Sequence, residues 1–298
     1  MPDVPSAELA DVLELLRSLP LGALSLDEQR AAIEASSRPV PDGTSVVAVV
    51  AGGVPCEWVQ VPGASADRTV VALRGGGYCL GSLASNRFFC ALLSQHCDAR
   101  VLNVGFPNAP EQPHPAALHD ALTAYRWLVD GRADPAAVLV AGNSAGGGLA
   151  LALLLALRDA GDPLPAGAVA LSPWTDLAAT GDSIRTNAAT EVLLDPTGVL
   201  DTARHYADDL THPYVSPLYG DLHGLPPLLL HVSDAEILLD DSLRFAERAR
   251  AAGVDVTLAV VEGVPHVWHL FADLLPEADS SLAQVGDWVT RTLRRPSP

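Results

Sequence analysis

Ala137-Val138-Leu139-Val140-Ala141-Gly142-Asn143-Ser144-Ala145-Gly146-Gly147-Gly148 is the stretch on which the fold turns. It opens on an apolar run and leads into an alanine- and leucine-rich segment with helical character. The stretch therefore reads as strand, sharp turn, helix, with a serine at the apex and glycines on both sides. A turn this tight presses the flanking segments together. Gly142 and Gly146 are what such crowding requires, because a Cβ at either position would clash. A serine kept in such a turn has its hydroxyl presented for attack.

Outward from the turn, short β-branched or apolar runs recur at 69–73, 101–104, 137–140, 167–171, 228–232 and 256–260. Helical periods lie between several of them, at 87–95, 116–129, 147–158 and 242–252, and a last one is expected at about 280–293. Near-continuous apolar strands alternating with helices predict an α/β fold with a mostly parallel sheet covered on both faces. Residues 6–36 read as one or two amphipathic helices before any strand. Residues 178–211 read as a helical insertion that breaks the alternation. Both are expected to form a lid over the mouth of the site, the alternative being that they are merely surface helices. Residues 295–298 read as a frayed tail.

Composition narrows the function. The 298 residues carry a formal charge of −18, and all 18 basic residues are arginine. That excludes nucleic acid and anionic membranes as partners, since both need a basic footprint. It also excludes a Schiff-base lysine and the lysine of a phosphate-binding loop. An apolar fraction of 49% suffices for a buried core. The longest apolar runs, such as 149–157, are too short and too alanine-rich to cross a bilayer. The acidic start, Met1-Pro2-Asp3-Val4-Pro5-Ser6-Ala7-Glu8, does not read as a signal peptide. Cys56, Cys79, Cys90 and Cys97 show no zinc-ligand spacing, so no metal is expected, and the thiols are expected to be free in a reducing cytoplasm.

An alcohol is a poor nucleophile at neutral pH, so Ser144 needs a base, and the base needs a group to orient it. In α/β-hydrolase chains, where such an elbow joins strand to helix, the partners follow in the order serine, acid, histidine. Late in the chain, Val264-Pro265-His266-Val267-Trp268-His269 offers two histidines. His266 follows the last predicted strand on a loop, whereas His269 falls on the helix after it and is read as structural. For the acid, the strand 228–232 runs into Ser233-Asp234-Ala235-Glu236-Ile237-Leu238-Leu239-Asp240-Asp241. Asp234 comes soonest after the strand, Glu236 two residues later, and Asp240 and Asp241 suit the start of a helix. Chemistry alone does not choose between Asp234 and Glu236. After the 69–73 strand, Arg74-Gly75-Gly76-Gly77-Tyr78 can turn backbone N–H groups into a cavity. With the N–H of Ala145 it makes an oxyanion hole.

Over roughly residues 55–275 these segments resemble the bacterial hormone-sensitive-lipase-like esterases, an α/β-hydrolase family. The family's H-G-G-G-[FY] motif appears as Arg74-Gly75-Gly76-Gly77-Tyr78, followed by Gly81-Ser82. Its Y-R-L-A-P-E segment appears as Phe106-Pro107-Asn108-Ala109-Pro110-Glu111, followed by Pro115-Ala116-Ala117 and Asp120. Its G-D-S-A-G-G elbow appears as Gly142-Asn143-Ser144-Ala145-Gly146-Gly147. Ser172-Pro173-Trp174-Thr175-Asp176, Ser216-Pro217-Leu218 and Leu225-Pro226-Pro227 also match family segments.

The resemblance implies an α/β-hydrolase fold with cap helices at 1–45 and 178–211 around a catalytic domain at 46–177 and 212–298. It puts Glu236 in the acid position of D-x-L-x-D, selects His266 before Val267-Trp268, and implies oxyanion donors at Gly76, Gly77 and Ala145. Arg74, Gly75 and Asn143 would support them. It implies a serine hydrolase of small, largely apolar carboxylic esters or lactones, without cofactor or metal, and leaves a homodimer open. The rivals are an acyltransferase or cyclase that reuses the triad, and a ligand receptor. Such receptors usually lose a triad member, and all three are present here.

Two departures stand out. Arg74 replaces the motif histidine, and Pro107 replaces the motif arginine. Arg74 is expected to fix the glycine loop and to supply its charge to Glu111 or Asp120. The contrary expectation is a reshaped loop with weak esterase activity or a different reaction.

Overall fold

The computed structural model describes residues 6–18, 24–131 and 133–293. The expected tail at 295–298, the first five residues of the acidic start and residues 19–23 of the N-terminal helical segment lie outside the described residues.

Eight strands form one sheet: β1 (Ser45–Ala51), β2 (Val54–Gln60), β3 (Thr69–Leu73), β4 (Arg100–Val104), β5 (Val138–Asn143), β6 (Gly167–Leu171), β7 (Leu228–Ser233) and β8 (Val256–Val261). Their spatial order is β1-β2-β4-β3-β5-β6-β7-β8. From β4 to β8 every pairing is parallel, with β3 central between β4 and β5. The α/β class is thus observed, as read.

The sequence reading missed β1 and β2, an antiparallel hairpin that adds antiparallel to β4. Gly52 (φ 61°) and Gly53 (φ 103°) join them. A two-residue turn with positive φ at both positions is what suits a hairpin's twist, and Gly-Gly supplies it without strain. That dipeptide between two β-branched runs was the available signal.

Period-two alternation explains why both faces of the sheet are apolar. Val71, Leu73, Val140 and Leu230 face one core with α4 (Ala116–Asp130), α5 (Ala145–Ala160) and α8 (Leu239–Ala251). Val70, Ala72, Leu139, Ala141, Val169 and Leu229 face the other, with α3 (Leu83–Cys97) and α9 (Pro276–Leu293). Helix α5 is buried at every position from Ala145 to Leu157, which is why its sequence lacks a polar stripe. Truncating one of its fully buried leucines to alanine costs about 2–5 kcal/mol.

Helix α1 (Ala7–Arg17) precedes the sheet and α2 (Leu26–Ala35) follows it in the N-terminal segment. Leu9, Val12 and Leu16 of α1 pack on Val261, Val264, Trp268, Leu275 and Ala278, beyond the end of β8. Residues 178–211 contain the short α6 (Ser183–Thr186) and α7 (Gly198–Tyr206). Among the described residues, no helix is long and apolar enough to cross a membrane.

Candidate active site

The carboxyl ends of β3, β5, β6, β7 and β8 lie side by side, and each leads into a segment singled out by sequence. After β5, Ser144 stands at φ 53°, ψ −125°, a left-handed conformation that costs energy for a non-glycine residue. The surroundings hold it there. Its N–H donates to the Leu171 carbonyl (2.8 Å), and its own carbonyl accepts from Trp174 N–H (3.0 Å). A Cβ at Gly142 would stand 2.1 Å from the Gly146 carbonyl oxygen, and one at Gly146 2.1 Å from that of Leu73. The two glycines thus let α5 start against both β5 and β3.

A continuous chain of side chains leaves the serine. Ser144 Oγ lies 2.9 Å from His266 Nε2, and His266 Nδ1 lies 2.6 Å from Glu236 Oε2. A carboxylate only accepts, so Nδ1 carries the proton and Nε2 presents its lone pair to the serine hydroxyl. Glu236 Oε1 accepts from Ser172 Oγ (2.7 Å) and Ser233 N–H (2.8 Å), so its carboxylate is fixed on both oxygens. Ser172 Oγ also accepts from Val267 N–H at 3.2 Å, joining the acid to the residue after the histidine. Ser172, in left-handed conformation directly after β6, stands out in sequence only as part of a matching segment.

Burial alone would lower the pKa of His266; the charge and hydrogen bond of Glu236, with the charge of Glu191, outweigh it and raise the pKa above its ordinary value. His269 has a different place. It lies on a 3₁₀ turn (Trp268–Phe271), fully buried, with Nε2 3.1 Å from His231 Nδ1. Burial holds it well below the usual imidazole range and therefore neutral. Asp234 is exposed and directs Oδ1 to Gly263 N–H (2.8 Å), away from His266. Asp240 and Asp241 lie in the first turn of α8.

Across from the serine, Gly76 (φ 106°), Gly77 (φ 59°) and Tyr78 (φ 61°) are three successive left-handed residues. They curl the backbone after β3 into a tight loop in which the Gly76 carbonyl accepts from Cys79 and Leu80. Asn143 Oδ1 accepts from Gly75 N–H at 2.7 Å, tying this loop to the residue before the serine. An asparagine oxygen serves for this as well as the motif aspartate. From the insertion, α7 closes on the loop: Tyr206 stacks on Tyr78 at 3.7 Å, and Thr202 abuts Gly77.

Arg74 is buried. Its guanidinium lies 3.8 Å over the Phe106 ring, Nε donates to the Leu80 carbonyl (3.3 Å), and Nη2 donates to Asn108 Oδ1 (2.5 Å). Burial lowers its pKa to about 10. The expected partnership with Glu111 or Asp120 is not what the structure contains. Glu111 is held by Arg30 of α2 through two bonds of 2.7 Å, and partial burial raises Asp120. The same guanidinium donates to the Cys79 carbonyl (3.0 Å) and the Ala109 carbonyl (2.8 Å). The segment that lacks an arginine at Pro107 thus receives one from α2. Sequence does not announce it, because its hydrogen-bond partners lie 49 to 81 residues away.

The sequence profile of the alpha/beta hydrolase fold family matches residues 70–270. The chain is 44% identical over 240 residues to an acetyl-hydrolase of Streptomyces hygroscopicus, an alignment covering 80% of each. It is 36% identical over 230 residues to an esterase of Acinetobacter venetianus, covering 76% of each. Among solved structures, it resembles an esterase from the bacterial hormone-sensitive lipase family with a TM-score of 0.93 at 40% identity, covering 97% of this chain and 99% of that one. By sequence profile, relatives and fold together, the chain belongs to the bacterial hormone-sensitive lipase family of the alpha/beta hydrolase fold and is a carboxylic ester hydrolase.

Proposed function

We propose that the enzyme cleaves small, largely apolar carboxylic esters or lactones through an acyl-enzyme formed on Ser144. The observation that carries this reading is the unbroken chain from Ser144 Oγ through His266 to Glu236, at 2.9 and 2.6 Å. His266 Nε2 takes the hydroxyl proton as Oγ adds to the ester carbonyl. The N–H groups of Gly76, Gly77 and Ala145 receive the developing oxyanion. As the tetrahedral intermediate collapses, the imidazolium returns its proton to the leaving alcohol. Water, deprotonated by the same nitrogen, then releases the acid. Glu236 keeps the imidazole in the required tautomer and stabilises its charged form. Residues 1–45 and 178–211 cap the catalytic domain formed by 46–177 and 212–298. A relative named for acetyl hydrolysis supports a short acyl group.

The test is a panel of esters and lactones of graded bulk, scored for free acid, with fluorophosphonate labelling of the same preparation. One label per chain, carried on the Ser144 peptide, together with acid release supports the reading. Acyl transfer to an added alcohol as the main outcome would favour a transferase. Labelling without turnover of any ester would leave a receptor.

The pH dependence has a definite sign. Only neutral imidazole can accept the serine proton, and His266 holds its proton more tightly than a free histidine. The acid limb of kcat/KM is therefore expected to have its midpoint above about 6.5, the ordinary histidine value. A midpoint at or below that value contradicts the arrangement.

Arg74 fixes the oxyanion loop through the Leu80 carbonyl, with Phe106 and Asn108 as its seat. Arg74→His, which shortens that reach, is expected to lower ester hydrolysis and the melting temperature together. A large gain in hydrolysis, measured on a short p-nitrophenyl ester, would mean instead that arginine distorts the loop.

A further inference from the structure

The loop that carries Glu236 has an unusual backbone arrangement. Four consecutive carbonyls, those of Asp234, Ala235, Glu236 and Ile237, each accept a hydrogen bond from a side chain of the insertion. Asn187 Nδ2 donates to Asp234 O and Glu236 O, both at 2.8 Å. Thr190 Oγ1 donates to Ala235 O at 2.9 Å, and Ser183 Oγ to Ile237 O at 2.7 Å. The remaining link runs the other way: Ile237 N–H donates to Glu191 Oε2 at 3.2 Å. Glu191 is anchored in turn, since its Oε1 accepts from the N–H groups of Val192, Leu193 and Leu194 at 2.9, 2.8 and 3.2 Å. The acid loop leaves the sheet after Ser233, so β-ladder bonds no longer satisfy its carbonyls. Its conformation is set by a segment some fifty residues earlier.

We propose that Asn187, Thr190 and Glu191 are positioning residues for the catalytic acid, so that the triad is complete only when the insertion is seated on the 234–237 loop. This rests on Glu236 being the orienting acid. Its carboxylate meets His266 while side chains of the insertion grip its peptide. A shift of that peptide by an ångström opens the 2.6 Å contact to His266. Glu191 acts in a second way, adding negative charge near the imidazole. The groups facing His266 are Glu236, Glu191 and, from the 3₁₀ turn, the neutral His269 backed by His231.

The experiment uses the full-length chain in four variants, with kcat and KM on a short p-nitrophenyl ester measured across pH, fluorophosphonate labelling rates and melting curves. Asn187→Ala is expected to lower kcat on the order of tenfold to a hundredfold, with KM nearly unchanged and labelling slowed by a similar factor. Thr190→Val, isosteric at an exposed site, is expected to show a smaller loss of the same kind, while Thr190→Ser retains activity. Glu191→Gln is expected to move the acid limb of kcat/KM to lower pH, because a negative charge near His266 is removed. An unmoved acid limb, or a raised KM at full kcat, would overturn the proposal. So would a loss of kcat that merely tracks unfolding. Should Asn187→Ala fail to fold, the Thr190 and Glu191 variants decide alone. Glu236→Gln runs beside them: if it is silent, the reading of the acid itself has failed; if it is crippled while the insertion variants match the parent, only the positioning inference has.

Discussion

Ser144→Ala is expected to lower kcat for a short p-nitrophenyl ester by on the order of 10⁶-fold, the loss seen when the nucleophile of a serine triad is removed. Fluorophosphonate labelling should vanish with it. The fold should survive, because among the described residues the hydroxyl bonds His266 alone. The strained backbone at residue 144 is held by Leu171 and Trp174 through main-chain atoms that alanine retains. Residual activity, if any, belongs to the oxyanion donors and substrate binding, which still favour attack by water. An alanine variant with parental turnover and an intact melting curve would remove the acyl-enzyme scheme altogether.

Glu236→Gln is expected to cost on the order of 10⁴-fold in kcat, with little change in KM. Three donors converge on this carboxylate: Ser172 Oγ and Ser233 N–H on one oxygen, His266 Nδ1 on the other. An amide has a single oxygen. If it stays with Ser172 and Ser233, its NH₂ faces Nδ1 and forces the proton onto Nε2, where the imidazole can no longer accept from serine. If it turns toward the histidine, two buried donors lose their partner, at about 1–3 kcal/mol for each group left unsatisfied. The matched control is Asp234→Asn. Asparagine keeps the acceptor that Gly263 uses, and the site is exposed, so kcat should stay within about twofold of the parent. Reversal of the two results would make Asp234 the acid.

Much of this site was legible because its information is local. The elbow demands glycines at 142 and 146, whatever the distant chain does. Chain order then confines the proposed base to the region after the last strand, where His266 sits on a loop and His269 on a turn. The proposed acid is harder to single out, since four carboxylates crowd eight residues and burial, not spacing, separates them. Glu236 is fully buried and triply bonded, whereas Asp234 faces solvent. What stayed hidden were the partners that come from afar. Ser172, Arg30, Asn187 and Glu191 are ordinary polar residues in sequence, and only the packed chain gives them their tasks. Arg74 stands out in sequence as the replacement of a histidine, but its guanidinium meets Leu80, Asn108 and Phe106 rather than Glu111 or Asp120. The β1–β2 hairpin was hard to read because β1, the edge strand Ser45–Ala51, is largely exposed yet carries valines and alanines without the polar alternation that marks a half-buried strand.

The docking of α1 beyond β8 has a temporal consequence. Ser6 meets Glu277 across 271 residues of chain, and the buried apolar partners of Leu9, Val12 and Leu16 lie between 261 and 278, with Val192 and Leu193 at the margin of the cluster. During synthesis the first helix is therefore made early and must wait, its apolar stripe uncovered, until nearly the last of the sheet has emerged. His266 belongs to that same late stretch. Contacts so distant in sequence form slowly, and exposed stripes of this kind invite off-pathway association while they wait. The nascent chain thus draws both His266 and the cover for α1 from one late stretch.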